Sequence, residues 1–220
     1  MNKILFSIIL ILALVISSIF LTPISFISNI FLKNNNDLKI EYSYLDGNIL
    51  SGSVLDLYVN NQALGDYSYE TSITTSNIKI KFLATDNQDI SGTFIKSFDT
   101  LDPSIFTIND FIAEETISLE LIQNVNLKFN IKELKINNFL CETIIGSIFI
   151  SADSIRDELY GDLSCREGDK IITNLKNNKN KNLGSIQYHD SSIKVSISTK
   201  TLPDRRLQLL TDEVSFTIDL

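Results

Sequence analysis

From Lys39 onward the chain alternates apolar and polar residues with a period of two. Val125, Leu127, Phe129 and Ile131 fall on one face while Asn126, Lys128 and Asn130 fall on the other, the pattern of a half-buried antiparallel strand. The same alternation occurs at Leu55 to Val59, Ile78 to Phe82 and Ile193 to Ile197. Shorter runs stand at Leu38 to Leu45, Ile90 to Ile95, Ile117 to Leu121, Ile144 to Ile150, Ile186 to Tyr188 and Val214 to Ile218. So many short strands predict a mainly β, antiparallel architecture, either a curved sheet or a sandwich, and exclude a parallel α/β fold.

Helical interruptions are expected at three places. Asp102-Pro103 can cap a turn carrying Ile105, Ile108 and Phe111. Ser151 can cap a second turn with Ile155 and Leu159 facing inward, and Pro203 can open a third in which Leu207 and Leu210 share a face. All three fit as plugs between strands. A loose phrase, glycine followed by an alternating run, recurs as Gly47-Asn-Ile-Leu-Ser-Gly52, Ser91-Gly-Thr-Phe, Gly146-Ser-Ile-Phe, Gly161-Asp-Leu-Ser and Gly184-Ser-Ile-Gln. It marks strand entry after a turn, where a bulge or positive φ is needed. Asn174 to Asn182, NLKNNKNKN, reads as a solvated hairpin tip, and its three lysines as loop residues in preference to a lipid-headgroup contact.

The N-terminus breaks the β pattern. Ile4 to Leu21 is uninterruptedly apolar or small and no charge follows Lys3 until Lys33; as a helix the run spans roughly 27 Å, close to the hydrocarbon thickness of a bilayer. It is longer than the apolar region of a cleaved signal peptide and has no clean small-x-small site, so an uncleaved anchor over residues 1–22 is expected. Lys3 would hold the amino terminus in the cytoplasm, placing the rest at the outer side of a bacterial inner membrane, in the periplasm. Residues 23–36, with Ile24, Ile27, Ile30 and Phe31, form an amphipathic segment that either lies on the membrane or packs under the domain. Residues 37–220 form the periplasmic β domain.

That compartment gives the two cysteines, Cys141 and Cys165, a meaning. Where disulfides persist they read as one structural bridge, and their spacing is too wide for a C-x-x-C redox pair. Charge narrows partners further: 19 Lys and Arg against 27 Asp and Glu, a formal net charge of -8, argues against nucleic acid.

Candidate chemistry is sparse. The single histidine, His189, has no second histidine to share a metal, and no G-x-S-x-G offers a nucleophile elbow. Asp153, Asp157, Glu158, Asp162, Glu167 and Asp169 crowd one stretch without the spacing of a calcium loop, so a solvated acidic face is expected. No enzyme, cofactor or metal site is expected.

Four places together resemble the type II secretion system protein N family. They are the apolar span followed by Pro23; Gly47-Asn-Ile-Leu-Ser-Gly52 with Leu64-Gly65; Cys141-x4-Gly146 followed by the Gly-x-Leu-x-Cys-x-x-Gly of Gly161 to Gly168; and Leu202-Pro203 with Leu207 to Leu210. Tyr69 stands where that family tends to carry tryptophan. The resemblance implies an inner-membrane, single-pass accessory of type II protein secretion that works by protein–protein contacts with other secretion-system proteins, and it carries over no catalytic residue. A second expectation, from the amphipathic strands themselves, is a membrane-anchored periplasmic lipid-binding or lipid-transfer protein with an apolar β-trough.

Overall fold

The computed structural model describes residues 14, 17, 22–23 and 40–219, except 60–61, 87–88, 101, 103, 118–123, 139, 154, 156–157, 167–169, 190–191 and 203–208. Its strands are β1 (Ile40–Glu41), β2 (Tyr44–Gly47), β3 (Ser51–Val59), β4 (Gln62–Ile73), β5 (Asn77–Ala84), β6 (Ser91–Ser97), β7 (Phe106–Ile117), β8 (Val125–Asn137), β9 (Leu140–Ser151), β10 (Leu159–Asp162), β11 (Ser164–Cys165), β12 (Ile171–Lys176), β13 (Asn182–His189), β14 (Ser192–Ser198) and β15 (Glu213–Asp219). They form an antiparallel open sheet in the order β1-β3-β4-β5-β6-β7-β8-β9-β10-β12-β13-β14-β15, with β2 paired to β3 and β11 to β12. The expected mainly β architecture is present.

The chain divides into two compact units, residues 1–73 with 80–87 and residues 74–79 with 88–220. In the first, β3 pairs with β4 along one edge and with β1 and β2 in succession along the other. Gly47 closes the β2–β3 turn at φ 106°, and the Asn48 side chain accepts hydrogen bonds from the backbone N–H groups of Leu50 and Ser51 at 2.8 and 3.2 Å. Asp56, left-handed at φ 49°, sits where the β3–β4 register shifts.

In the second unit, an apolar cluster includes Val125, Ile150, Leu159, Leu175, Ile197 and Leu202. Leu159 and Leu175 are completely buried. The sheet here is strongly curled, and three glycines show how. Gly146, Gly161 and Gly184 sit where a neighbouring strand comes close. A Cβ on Gly146 would lie 2.8 Å from both the Asn130 carbonyl oxygen and the Ile131 Cα; on Gly184 it would strike the Ser196 carbonyl oxygen, and on Gly161 the Thr173 hydroxyl. Glycine in a strand interior marks a bend or a close backbone approach.

Several expectations are corrected. The segment expected to turn helical after Asp102-Pro103 is the long strand β7. Its Ile108 and Phe111 lie three apart, as on a helix face, because Asp110 between them is left-handed at φ 51° and shifts the alternation by one. Phe106, Thr107, Ile108, Phe111 and Ile112 are aromatic or β-branched, which favours strand once pairing is available. Leu159, expected on a second helix, starts β10, while Ile155 lies in the preceding connection and is buried as expected. Of the third helix, Leu209 and Leu210 are helical, but Leu210 is 80% exposed and plugs nothing; Leu207 lies outside the described residues. Strand β4 was not anticipated, because Gly65, at φ 90°, reads as a turn. Among the described residues no helix is long and apolar enough to cross a membrane; the span expected over 1–22 falls outside them apart from Leu14, Ser17 and Thr22, and so does nearly all of 23–36.

Gly184→Ala is expected to lower stability by about 1–3 kcal/mol, the usual cost of overpacking, read as a lower urea midpoint. Leu159→Ala is expected to cost about 2–5 kcal/mol as a cavity mutation. An unchanged midpoint for Gly184→Ala would contradict the tight approach of β13 to β14.

Candidate functional site

Register places side chains in rows across the second unit. Phe111, Ile131 and Gly146 form one row on β7, β8 and β9; Ala113, Phe129 and Ile148 form the next. On the other side, Thr173 stands opposite Ile186, which stands opposite Val195, and Ile171 opposite Tyr188 and then Ile193. Directly opposed residues of an antiparallel pair share a face, so every named side chain points to one side.

These two sets of rows meet. Phe111 and Ala113 on β7 and Ile193 and Val195 on β14 line the same cavity, of about 500 Å³, with Ile148, Leu163 and Thr173 between them. From β7 to β14 the sheet takes six ladder steps, roughly 29 Å if flat. Only a curled sheet brings both ends to one cavity, so the inner face is a trough. One end is filled by Ile155 and Leu202, which belong to the buried cluster with Ile150, Leu175 and Ile197. The cavity occupies the rows beyond.

Its chemistry is almost uniform. Of the lining residues only Thr173 and Tyr188 carry a polar side-chain atom, and none is charged. Thr173 is 2% exposed, and its hydroxyl, crowded over Gly161, has no hydrogen-bond partner. Charge is kept to the opposite face: Lys128 pairs with Glu114 at 2.9 Å, and Asn126 donates to the same carboxylate at 3.0 Å. The hydrogen bonds from Lys128 and then Asn126 hold the Glu114 carboxyl below its ordinary pKa, and the bond to Glu114 raises that of Lys128.

The residues singled out from sequence fall around this trough in different ways. Cys141 and Cys165 are bonded, with Cα atoms 5.6 Å apart. The bond ties β9 to β11, whose Cys165 stands opposite the cavity residue Ile171, and it takes over where the β9–β10 ladder stops at Ser147 and Asp162. Gly146 and Gly161 lie in the trough floor. Gly47, Gly52 and Gly65 belong to the first unit, where Gly52 lies under Tyr69, whose hydroxyl donates to the Asn48 carbonyl at 2.7 Å. Burial, reinforced by Asp46, raises the Tyr69 pKa. Gly168, with Asp157, Glu167 and Asp169, lies outside the described residues.

His189 ends β13, its carbonyl accepting from the Ser192 hydroxyl at 2.8 Å. Asp153 accepts from the Asn124 amide at 2.8 Å. Among the described residues no three His, Cys, Asp or Glu side chains gather to hold a metal. Sequence reasoning named none of the lining residues as a site, although the alternation at Val125 to Ile131 and Ile193 to Ile197 already put several of them on one face.

No family model, curated protein or solved structure matches the chain.

Two outcomes follow from this geometry. Cys141→Ser with Cys165→Ser is expected to lose about 3 kcal/mol of stability, from the chain entropy of the loop that the bond closes, measured by urea unfolding. Thr173→Val, which keeps shape and removes an unpartnered buried hydroxyl, is expected to melt at or above the wild-type temperature; a clear drop would show that the hydroxyl is satisfied inside the fold.

Proposed function

We propose that the protein is a lipid-binding protein that holds an acyl chain in the trough of its second unit. The observation that carries this reading is a cavity of about 500 Å³ whose walls carry no charged side chain. That volume lies within the roughly 300–1,000 Å³ of small-molecule sites. At about 24 cal/mol per Å³, leaving such a cavity dry would cost on the order of 12 kcal/mol as an upper bound, comparable with the whole stability of a domain. Water is a poor filler because it needs two to four polar partners, and the walls offer a threonine hydroxyl and a tyrosine. An aliphatic chain matches both the shape and the chemistry. With the apolar run at Ile4 to Leu21 as an anchor, such a protein would work at the periplasmic face of the inner membrane, taking up or passing on lipid.

A second reading, an accessory of type II protein secretion acting by protein contacts, is favoured by the outer face. There Ile112, Ile145 and Phe149 are each at least 40% exposed, a surface able to meet a partner. The two readings use opposite faces of the same sheet.

Native mass spectrometry of the gently purified full chain is expected to find one acyl lipid per protein. Ala113→Phe, which places a ring in the cavity, is expected to reduce that occupancy about tenfold while the protein stays folded. Absence of any stoichiometric lipid would count against the lipid reading. Ile145→Ser with Phe149→Ser is expected to leave occupancy unchanged, whereas loss of exported-protein release in cells carrying that variant would support the secretion reading.

A further inference from the structure

The trough does not end at the cavity. Ile144, a cavity residue, stands opposite Leu134 on β8; Leu134 stands opposite Ile108 on β7, and Ile108 opposite Phe94 on β6. These four side chains therefore form one row on the cavity side, and Leu134, Ile108 and Phe94 are half-buried. The row exists because the alternation shifts at left-handed Asp110 on β7 and at the register break between Ile131 and Glu133 on β8. Without those shifts the cavity rows would be continued by Asn109 and Glu133. The row crosses three ladder steps, roughly 14 Å, and at its far end Phe94 packs on Phe106 with ring centroids 5.0 Å apart.

We infer that this row is the continuation of the acyl path: the chain end lies in the cavity, against the plug of Ile155 and Leu202, and the remainder runs along Ile144, Leu134, Ile108 and Phe94. The inference rests on the lipid reading above and names what that reading leaves open, the length of chain recognised and the direction in which it lies. The filled end fixes the direction, since a head group cannot pass Leu159 and Leu175. Among the described residues of β6, none offers a head group an uncommitted charge. Lys96, the one cation in β6, has its ammonium taken up by the carbonyl oxygens of Asp102 and Ile105. Selection is therefore by chain length and not by head-group charge.

The test is binding of a homologous series of straight-chain fatty acids, from medium to long, to the purified full chain by displacement of a fluorescent acyl probe. Wild-type affinity is expected to rise about fourfold for each methylene added along the row (roughly 0.8 kcal/mol) and to change little with salt. Ile108→Thr and Leu134→Thr, both strand-compatible, are expected to keep the affinity for medium chains and to lose about tenfold or more for long ones. Ile145→Thr, on the opposite face, is the control and is expected to change neither. Equal wild-type affinity for medium and long chains, or an equal loss for both in the row variants, would overturn the inference while leaving the cavity reading intact. No binding of any chain would overturn the cavity reading, and this inference with it.

Discussion

The second unit depends on how closely neighbouring strands approach on one side of the sheet. At Gly146, Gly161 and Gly184 there is no room for a Cβ between adjacent strands. Those approaches let β7 and β14, six ladder steps apart, face one another over a shared cavity. A sheet of this length without them would be flatter, and its inner side chains would lie open to water. The disulfide supplements the same curl by joining β9 to β11 beyond the last β9–β10 pair. Conformation, covalent bond and apolar lining thus serve a single concave surface.

That surface differs from a closed core in how it is filled. At one end Ile155 and Leu202 complete the packing, and Leu159 and Leu175 have no exposure at all. In the next rows the same alternation continues, yet the side chains meet a cavity and not each other. The difference lies in the connections between strands: the one before β10 and the one after β14 each send an aliphatic residue inward, and no described connection does so over Phe111, Ile131 and Ile193. The charged pair of Glu114 and Lys128 lies on the other face, across β7 and β8. The second unit separates a charged outer face from an inner face on which Thr173, buried in the cavity lining, has no partner for its hydroxyl.

Much of the fold was legible in the chain. Period-two alternation located β5, β8, β13, β14 and β15; the hairpin tip that composition placed at Asn174 to Asn182 is shorter, residues 177–181, because residues 174–176 end β12 with Leu175 completely buried and Asn182 starts β13. What misled was local backbone geometry. Asp110 adopts a positive φ that periodicity does not register, so a strand carrying Ile108 and Phe111 on one face imitated a helix. Gly65 imitated a turn for a similar reason, and strand β4 passed unnoticed. The cysteine pair and the glycines at 146 and 161 were conspicuous as punctuation, yet their meaning as the floor and brace of a trough required pairing partners a dozen or more residues away. The trough lining was visible residue by residue as core-like alternation; only register and curl tell a filled core from a lined cavity.

The most direct test is photocrosslinking in cells from one residue on each face, with benzoylphenylalanine placed at Phe129 inside the trough and at Phe149 on the exposed outer side of the neighbouring strand. A lipid-binding trough predicts crosslinks to acyl lipid from position 129 and none from position 149. Lipid crosslinks that fail to distinguish the two positions, or a position 129 that captures only protein, would contradict it.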